Sequence, residues 1–211
     1  MYHMPHFKAD HPEEIFDFMK QYPLAIISSV DHNNQIQATH VPVIVDQLED
    51  KVVLSGHLMR NTPHFKTFET NDEVLVIFNG PNAYVSASWY QQPQQGSTWN
   101  YITVHCRGKM KLMNTDRFPS FMQRFTSYFE GNSDNSPTVF NNLPESYTSQ
   151  MMPHIVGFEI EVYALENVFK LSQNRDEESY DNIIEKLQSR DSFSTQVASE
   201  MMKRKNKVFQ R

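Results

Sequence analysis

The stretch from Glu73 to Leu112 predicts the fold, and it reads EVLVIFNGPNAYVSASWYQQPQQGSTWNYITVHCRGKMKL. Both of its ends are rich in β-branched and aromatic residues, a composition typical of strands. Between them lie both tryptophans of the chain, Trp89 and Trp99, separated by a polar stretch rich in glutamine. We expect these aromatics at the rim of a sheet, where they either cap a core, the more common role, or line a site for a flat ligand. The residues alone leave both roles open.

Seven runs along the chain have strand-like composition, and most are joined by turns too short for a parallel crossover. They are Leu24 to Val30, Gln35 to Val45, Lys51 to His57, Val74 to Phe78, Tyr84 to Ser88, Tyr101 to Leu112 and Ile155 to Val162. The first two are predicted to form a hairpin around Asp31-His32-Asn33-Asn34, and a second turn is predicted at Glu49 and Asp50. The pattern predicts an antiparallel barrel or sandwich.

Helices are predicted near the start of the chain and after the third strand. Asp10 is expected to cap a helix that ends before Pro23, because Glu13 follows three residues later. Thr62 and Pro63 supply an N-cap and a first-turn proline for a short helix through Phe68.

Further helices are predicted before the last strand and at the C-terminus. Thr115 is expected to cap a helix with a phenylalanine stripe that ends near Phe129. Two amphipathic helices are predicted at Glu177 to Ser189 and Thr195 to Lys205, the latter capped by Ser194. The α+β pattern, mainly β with helices, therefore predicts a single domain over residues 1–211, with 176–211 as a helical extension.

Composition restricts the classes of function. The chain has 211 residues, a formal net charge of -6 and one cysteine, Cys106. A single cysteine excludes an intrachain disulfide, and without a recognisable leader the expected location is the cytoplasm. No apolar run approaches the roughly 18 to 20 residues that span a bilayer, so no membrane role is expected. The acidic balance opposes the basic surface that nucleic acids favour.

The first candidate site is the loop His57-Leu58-Met59-Arg60-Asn61-Thr62-Pro63. Free N–H groups at a helix start, together with an arginine that can bond through two nitrogens, favour a phosphate ligand. The alternative is that Arg60 pairs with a carboxylate and that Asn61 or Thr62 only caps the helix. The residues alone do not separate these two possibilities.

The second candidate site is Lys170-Leu171-Ser172-Gln173-Asn174-Arg175, which follows the last strand. Its two cations could bind phosphate, and its three polar side chains could bind the edge of a heterocycle. The alternative is an exposed turn in which Asn174 or Asp176 caps the next helix.

Other chemistries find less support in the sequence. The histidines His3, His6, His11, His57 and His64 come without the spacing of a metal-ligand set, so no metal is predicted. A nucleophilic role for Cys106 is not expected. Its neighbour His105 is poorly placed to activate the thiol, because adjacent residues of a strand face opposite sides of the sheet.

Positive charge is concentrated only at the C-terminus. It comprises Lys203-Arg204-Lys205, Lys207 and Arg211. These side chains could contact nucleic acid, but cations in the last turns of a helix more often complement its dipole.

Together these motifs resemble the PaiB family of FMN-binding negative transcriptional regulators, within the FMN-binding split-barrel superfamily of the pyridoxamine-phosphate oxidases. The matching motifs, nearly end to end, are Met1-Tyr2 with Pro5 and Phe7, His57 to Pro63, Val76-Ile77-Phe78 with Gly80-Pro81, Ala83-Tyr84, Ser86 to Tyr90, Thr98 to Tyr101, Ile155 to Ile160 and Lys170 to Arg175. The first loop departs from the family pattern, because Arg60 and Asn61 are shifted by one place relative to His57.

The resemblance implies a six-stranded antiparallel FMN-binding split barrel with peripheral and C-terminal helices. It also implies a homodimer with FMN at the subunit interface. The cofactor-binding residues that it implies are His57, Arg60, Asn61, Ser86, Ser88, Trp89, Tyr90, Thr98, Trp99, Asn100, Lys170, Ser172, Gln173, Asn174 and Arg175.

Three functions are compatible with this resemblance. The leading hypothesis is a flavin-binding regulator that represses transcription, through direct contact with DNA or through a partner. The second is an FMN-dependent oxidoreductase of the pyridoxamine-phosphate-oxidase-like class. The third is haem binding or degradation on the same kind of barrel, with His57 or His64 as the axial ligand. A bound flavin does not by itself define a reaction.

Overall fold

The protein folds around one seven-stranded sheet, seen in a computed structural model that describes residues 1–2, 4–9, 11–48, 51–92 and 94–209. The strands are β1 (Leu24–Val30), β2 (Ile36–Pro42), β3 (Ile44–Leu48), β4 (Lys51–Met59), β5 (Glu73–Val85), β6 (Thr98–Leu112) and β7 (Ile155–Lys170). Their order across the sheet is β2-β1-β5-β6-β7-β4-β3. The pairs β1–β2, β1–β5, β3–β4 and β4–β7 are antiparallel. The predicted α+β class with an antiparallel sheet is confirmed.

The predicted run Gln35 to Val45 is wrong as a single strand, because it forms β2 and β3 with a break at Val43. Pro42 has no N–H to donate to a strand ladder. The N–H of Val43, between the two strands, donates to the carbonyl of Pro23 at 3.0 Å. The sheet has seven strands, whereas the resemblance implied six.

The opposite correction applies to β5, which joins two runs that the sequence separated at Gly80-Pro81. Gly80 serves close packing, since a Cβ there would lie 2.5 Å from a ring carbon of Phe18. Ser86 to Ser88, predicted as the end of a strand, lies beyond β5. Its residues enter a short 3-10 turn, Ala87–Trp89, that the Ser86 hydroxyl caps.

Two strands are longer than predicted. β6 begins at Thr98, three residues before the predicted start, and β7 continues to Lys170, eight residues beyond Val162. The candidate residues at both ends, Thr98 to Asn100 and Lys170, are therefore strand residues.

The helices are α1 (Pro12–Gln21), α2 (Pro63–Thr67), α3 (Phe118–Phe129), α4 (Glu145–Met151), α5 (Glu177–Gln188) and α6 (Ser192–Phe209). The sequence did not predict α4. No helix among the residues described here is long and apolar enough to cross a membrane.

Local capping was predicted correctly at two helices. The Thr62 hydroxyl accepts a hydrogen bond from the Phe65 N–H and Pro63 occupies the first turn of α2, as predicted. Asp176, one of the two proposed caps, accepts from the Ser179 N–H at the start of α5.

Two other predicted caps are wrong. α3 begins at Phe118 after Arg117, so Thr115 lies in the preceding turn. α6 begins at Ser192, and the carboxylate of Asp191 accepts from Ser194, which makes the aspartate the capping side chain.

Predictions for Asp10, the turn at Glu49 and Asp50, and Arg211 fall outside the residues that the structure describes.

The chain divides into two compact units. The terminal unit comprises Met1–Phe18, Asn79–Val104 and Glu166–Arg211, and the central unit comprises Met19–Phe78 and His105–Leu165. The prediction of a single domain over residues 1–211 is therefore kept as a proposal that unfolding can test.

Within the central unit the sheet curls back on itself. Gly56 of β4 faces the carbonyl of Pro42 in β2, and a Cβ on Gly56 would lie 2.9 Å from that oxygen. The two strands thus approach each other although they are not neighbours in the sheet. Strand curvature of this kind is a property of barrels, where glycine permits close backbone approach.

The core below this curved sheet carries the phenylalanine stripe of α3. Phe118, Phe121 and Phe125 are buried together with Met113 and Ile155. These members of the stripe therefore have the packing role that its helical spacing predicted, whereas Phe129 at the end of α3 is exposed.

Candidate functional site

In the terminal unit, the start of β6 lies against the end of β7, which brings together two of the predicted segments. The ammonium of Lys170 donates to the Thr98 hydroxyl at 2.5 Å and to the Trp99 carbonyl at 2.6 Å. Lys170 is buried, and burial, followed by the charge of Arg175, lowers the pKa of its ammonium. Its hydrogen bonds join the two strand ends.

A second link between these segments runs through Asn100. This side chain has no exposed surface, its amide oxygen accepts from the Ser172 hydroxyl at 3.0 Å, and its amide nitrogen donates to the Met201 sulfur at 3.5 Å. Ser172 adopts a left-handed backbone conformation, with φ of 65°. Side-chain bonds of Gln173 to the Leu171 N–H and the Phe169 carbonyl fix this turn. Asn100 and Ser172 thus position the backbone around them.

The arginine that ends the second segment stacks on an aromatic ring. The guanidinium carbon of Arg175 lies 4.0 Å from the centroid of the Tyr90 ring, and the guanidinium also donates to the Gln95 side chain. This is a close cation–π geometry. The Tyr90 hydroxyl is buried and has no hydrogen-bond partner among the described residues.

The same unit also carries exposed aromatic surface. Trp99 is 55% exposed, and its ring meets that of Tyr84 edge to face at 6.0 Å. The guanidinium of Arg190 lies 5.9 Å from the Trp89 ring and donates to the Tyr84 carbonyl at 3.1 Å. The sequence analysis missed Arg190, because it lies 106 residues from Tyr84 and belongs to no motif.

The Arg60 loop belongs to the central unit. The Arg60 N–H donates to the His154 carbonyl at 2.8 Å, and its Nε donates to the Ile155 carbonyl at 3.0 Å. These bonds hold the exposed side chain at its base, and within the described chain its two terminal nitrogens have no hydrogen-bond partner. Asn61 is also exposed. The backbone carbonyls therefore orient the Arg60 side chain, and no carboxylate of the described chain pairs with its charge.

The two histidines that flank this loop differ in their contacts. His64 is buried, with one ring nitrogen 2.9 Å from the Ser29 hydroxyl and the other 2.7 Å from the Thr39 hydroxyl. Both nitrogens are occupied, so His64 does not offer the axial haem ligand that the third hypothesis needs. His57 packs edge to face on Phe125 at 4.9 Å, and its buried Nδ1 has no hydrogen-bond partner within the described chain.

The predicted site residues thus form two groups. The terminal unit holds Ser86, Ser88, Trp89, Tyr90, Thr98, Trp99, Asn100, Lys170, Ser172, Gln173, Asn174 and Arg175, and the central unit holds His57, Arg60 and Asn61. Direct contacts join the first group across about 70 residues of sequence, for example between Lys170 and Thr98. In that group Ser88, Trp99 and Asn174 are exposed, whereas Tyr90, Asn100, Lys170 and Ser172 are buried.

The other sequence candidates have structural roles. Cys106 is buried, and burial raises the pKa of its thiol to about 12, which keeps it protonated and inert. Among the C-terminal cations, Lys203 pairs with Glu200, Arg204 with Glu14 and Glu200, and Lys205 with carboxylates of α5. No group of three or more His, Cys, Asp or Glu side chains that could hold a metal is found in the described part of the chain.

Solved structures share this fold. A protein from Mycobacterium smegmatis described as binding FAD and haem superposes with a TM-score of 0.56 at 13% identity, covering 77% of this chain and 72% of the other. A conserved hypothetical protein from Mycobacterium tuberculosis gives a TM-score of 0.56 at 13% identity, over 81% of this chain and 91% of the other. At such identities the likeness defines the fold alone.

Sequence relationships define the family. The family model described as "Putative FMN-binding domain" matches residues 1–164. The Bacillus subtilis (strain 168) protein "Protease synthase and sporulation protein PAI 2" is 33% identical over 207 residues, which covers 98% of this chain and 99% of the relative. The chain therefore belongs to this flavin-binding family, the one to which the PaiB motifs pointed.

Proposed function

We propose that the protein is a cytoplasmic, FMN-binding regulator of the PaiB kind that acts as a homodimer to repress transcription. The observation that carries this proposal is the 33% identity to the PAI 2 protein over nearly the whole length of both chains. Such coverage extends beyond the family model, which ends at residue 164, into β7, α5 and α6.

Arg60 and Asn61 are proposed to bind the phosphate of the flavin mononucleotide. A dianionic phosphate prefers a guanidinium whose N–H groups are free and oriented, and Arg60 meets both conditions through its bonds to the backbone of residues 154 and 155. The short helix α2 contributes less, because the Thr62 hydroxyl already satisfies one of its first N–H groups.

The group in the terminal unit is proposed to provide a wall for the flat ring of the flavin. Trp99, Ser88 and Asn174 expose aromatic and hydrogen-bonding surface, as an isoalloxazine ring requires. Arg175 and Trp89 are half-buried beside them. The buried members Tyr90, Asn100, Lys170 and Ser172, together with the half-buried Ser86, Thr98 and Gln173, act as the support that holds this wall in place. The bound flavin would supply redox chemistry or a ligand-dependent signal.

Binding of FMN and of riboflavin to the purified protein tests the cofactor assignment. Arg60→Gln should weaken FMN binding by about tenfold to a hundredfold, because one charge-assisted contact is lost, and should leave riboflavin binding unchanged. The measurement is a titration of flavin fluorescence. Arg117→Gln is the matched control, since Arg117 is also exposed but pairs with Glu159. An equal loss for both flavins would contradict the role of Arg60, and no binding of either flavin would reject the cofactor.

Repression is proposed to act through a partner rather than through the C-terminal cations. These cations are largely held in ion pairs, and the chain carries a formal net charge of -6. Phosphate-backbone binding needs unpaired positive charge and weakens steeply as salt rises. We therefore expect no mobility shift of duplex DNA even at low salt. A shift that disappears with added salt would instead favour direct contact with DNA.

A further inference from the structure

A cavity of about 630 Å³ lies within the central unit, outside the residues proposed for the flavin wall. Its sides are formed by α3, α4 and the loop between them, and its floor by the end of β4 and the start of β7. The chain between β6 and β7 therefore forms most of the wall of this cavity. The cavity volume is typical of pockets that bind small organic molecules.

The lining of this cavity is mainly apolar and adaptable. It includes the methionines Met59, Met122, Met151 and Met152, together with Phe140 and Tyr147. Methionine side chains are flexible and polarisable, and their sulfur atoms make favourable contacts with aromatic rings. No Lys, Arg, Asp or Glu side chain is among the described residues that line it. A phosphate group would therefore find no counter-charge inside.

The threonine hydroxyl groups in the lining already have hydrogen-bond partners, and that of Thr138 lies 2.9 Å from the Ser136 hydroxyl. Thr126 donates to the Met122 carbonyl at 2.8 Å and accepts from the Phe140 N–H at 2.9 Å. Thr148 donates to the Glu145 carbonyl at 3.2 Å. These bonds belong to the helices and the loop, so the threonine side chains present mainly their methyl groups and little hydrogen-bonding capacity.

Two polar groups of the lining have no such bond among the described residues, the Tyr147 hydroxyl and the His57 ring, and His57 is the more buried of the two. The His57 ring rests on Phe125, and its buried Nδ1 has no hydrogen-bond partner in the described residues. Burial lowers the pKa of His57, so at neutral pH the ring is uncharged and has one donor and one acceptor nitrogen. An unpaired polar atom in an apolar site costs free energy until a ligand or a water satisfies it.

We propose that this cavity binds a small, largely apolar aromatic molecule through a single hydrogen bond to His57. The ligand carries one hydroxyl or ring N–H group, like a phenol or an indole, and its ring packs against the methionines. This assignment goes beyond the proposed function, because it gives the regulator a second ligand, and it assigns His57 to that ligand rather than to the flavin.

Two probes that differ by one hydroxyl group test the proposal. 2-Naphthol should bind with a stoichiometry of one per chain and about tenfold more tightly than naphthalene, which lacks the hydrogen-bonding group. Calorimetry or probe fluorescence measures both affinities on the unaltered protein, so the comparison does not depend on any variant folding. Equal affinities, or no saturable binding of 2-naphthol, would overturn the proposal.

Variants then locate the binding. His57→Leu should remove the advantage of 2-naphthol over naphthalene, whereas His32→Leu, at an exposed turn, should preserve it. Thr148→Trp should fill the cavity and abolish binding of both probes, with circular dichroism to show that the fold is kept. Binding that survives in the Thr148→Trp variant would reject this cavity as the site.

Two further measurements distinguish a separate ligand site from a part of the flavin site and from a contact with a second copy of the chain. We expect 2-naphthol to bind equally to flavin-free and FMN-saturated protein, so that a failure of flavin binding leaves this test intact. Displacement of FMN by 2-naphthol would show that the cavity is part of the flavin site and would overturn the proposal. Loss of dimers in the Thr148→Trp variant, measured by sedimentation, would instead assign the cavity to a second copy of the chain.

Discussion

Lys170 shows how a residue with a binding-site signature can serve the structure itself. Lys170 as a whole is only 9% exposed. Its ammonium donates to the Thr98 hydroxyl and the Trp99 carbonyl, and it lies 5.8 Å from the centroid of the Phe7 ring. A buried cation is tolerated only where such acceptors replace water. Lys170 thus holds Trp99 in place through the backbone, whether or not it contacts a ligand.

Replacing Lys170 tests this supporting role. Lys170→Met should lower the free energy of unfolding by about 1 to 3 kcal/mol, because the Trp99 carbonyl and the Thr98 hydroxyl lose their partner in a partly buried place. Urea unfolding followed by tryptophan fluorescence measures the loss. Lys66→Met, which changes an exposed lysine of α2, should change stability little. A Lys170 variant as stable as the control would argue against the role.

At this scale the sequence predicts local contacts well and distant ones poorly. Thr62 and Asp176 were predicted as caps because a cap bonds to a residue three positions away. The partner of Ser172, Asn100, lies 72 residues away, and only the sheet brings the two together. The cofactor motifs named candidate side chains, but they did not indicate that several of them would be buried.

Among the elements, α5 has the clearest start signal. The Asp176 carboxylate accepts from the N–H and the hydroxyl of Ser179, at 2.8 and 2.7 Å. The backbone hydrogen bond from Ser179 is the main cause that lowers the pKa of Asp176. Because the folded pKa lies below the unfolded value, this carboxylate stabilises the fold above about pH 4, and its contribution is lost as the pH falls through the folded pKa.

The pH dependence of unfolding tests this cap. Between about pH 5 and pH 3, the unaltered protein should lose more stability than Asp176→Asn, whose amide oxygen still accepts a hydrogen bond but carries no titrating charge. Urea midpoints across that range measure the difference. Glu178→Gln, in the same first turn, removes an exposed carboxylate without touching the cap, and it should follow the unaltered protein. Parallel curves for Asp176→Asn and the unaltered protein would contradict the linkage.

The end of β7 and the helix α4 are the elements that the sequence pattern could not predict. Tyr163 to Asn167 contains Ala, Leu, Glu and Asn, which have little strand preference, yet β7 continues through it because the strand is held by its neighbours in the sheet. The seven residues of α4 are too few to show a helical period, and all of them are at least partly exposed. The sequence therefore could not predict one side of the cavity.

For the whole molecule, the open question is whether the two units unfold together. Strands β5, β6 and β7 each contribute residues to both the terminal and the central unit. Loss of either unit would strip part of three strands from the sheet. The sequence-based prediction of a single domain over residues 1–211 therefore implies a single cooperative transition.

Two spectroscopic probes test this cooperativity. Trp89 and Trp99 both lie in the terminal unit, so native fluorescence reports on that unit alone. In a Trp89→Phe, Trp99→Phe background, Tyr147→Trp would report on the central unit. We expect the two fluorescence transitions in urea to coincide with each other and with far-ultraviolet circular dichroism, after correction for the stability of each variant. Separate midpoints would show that the units unfold independently.

The burial of Cys106 makes the chain convenient for covalent labelling. The only cysteine of the sequence is fully buried, and with a pKa of about 12 its thiol reacts slowly with maleimides at neutral pH. A single cysteine introduced at exposed Ser88 would then be the one fast-reacting thiol. A dye attached there reports on the tryptophan segment, and the native chain provides the unlabelled blank.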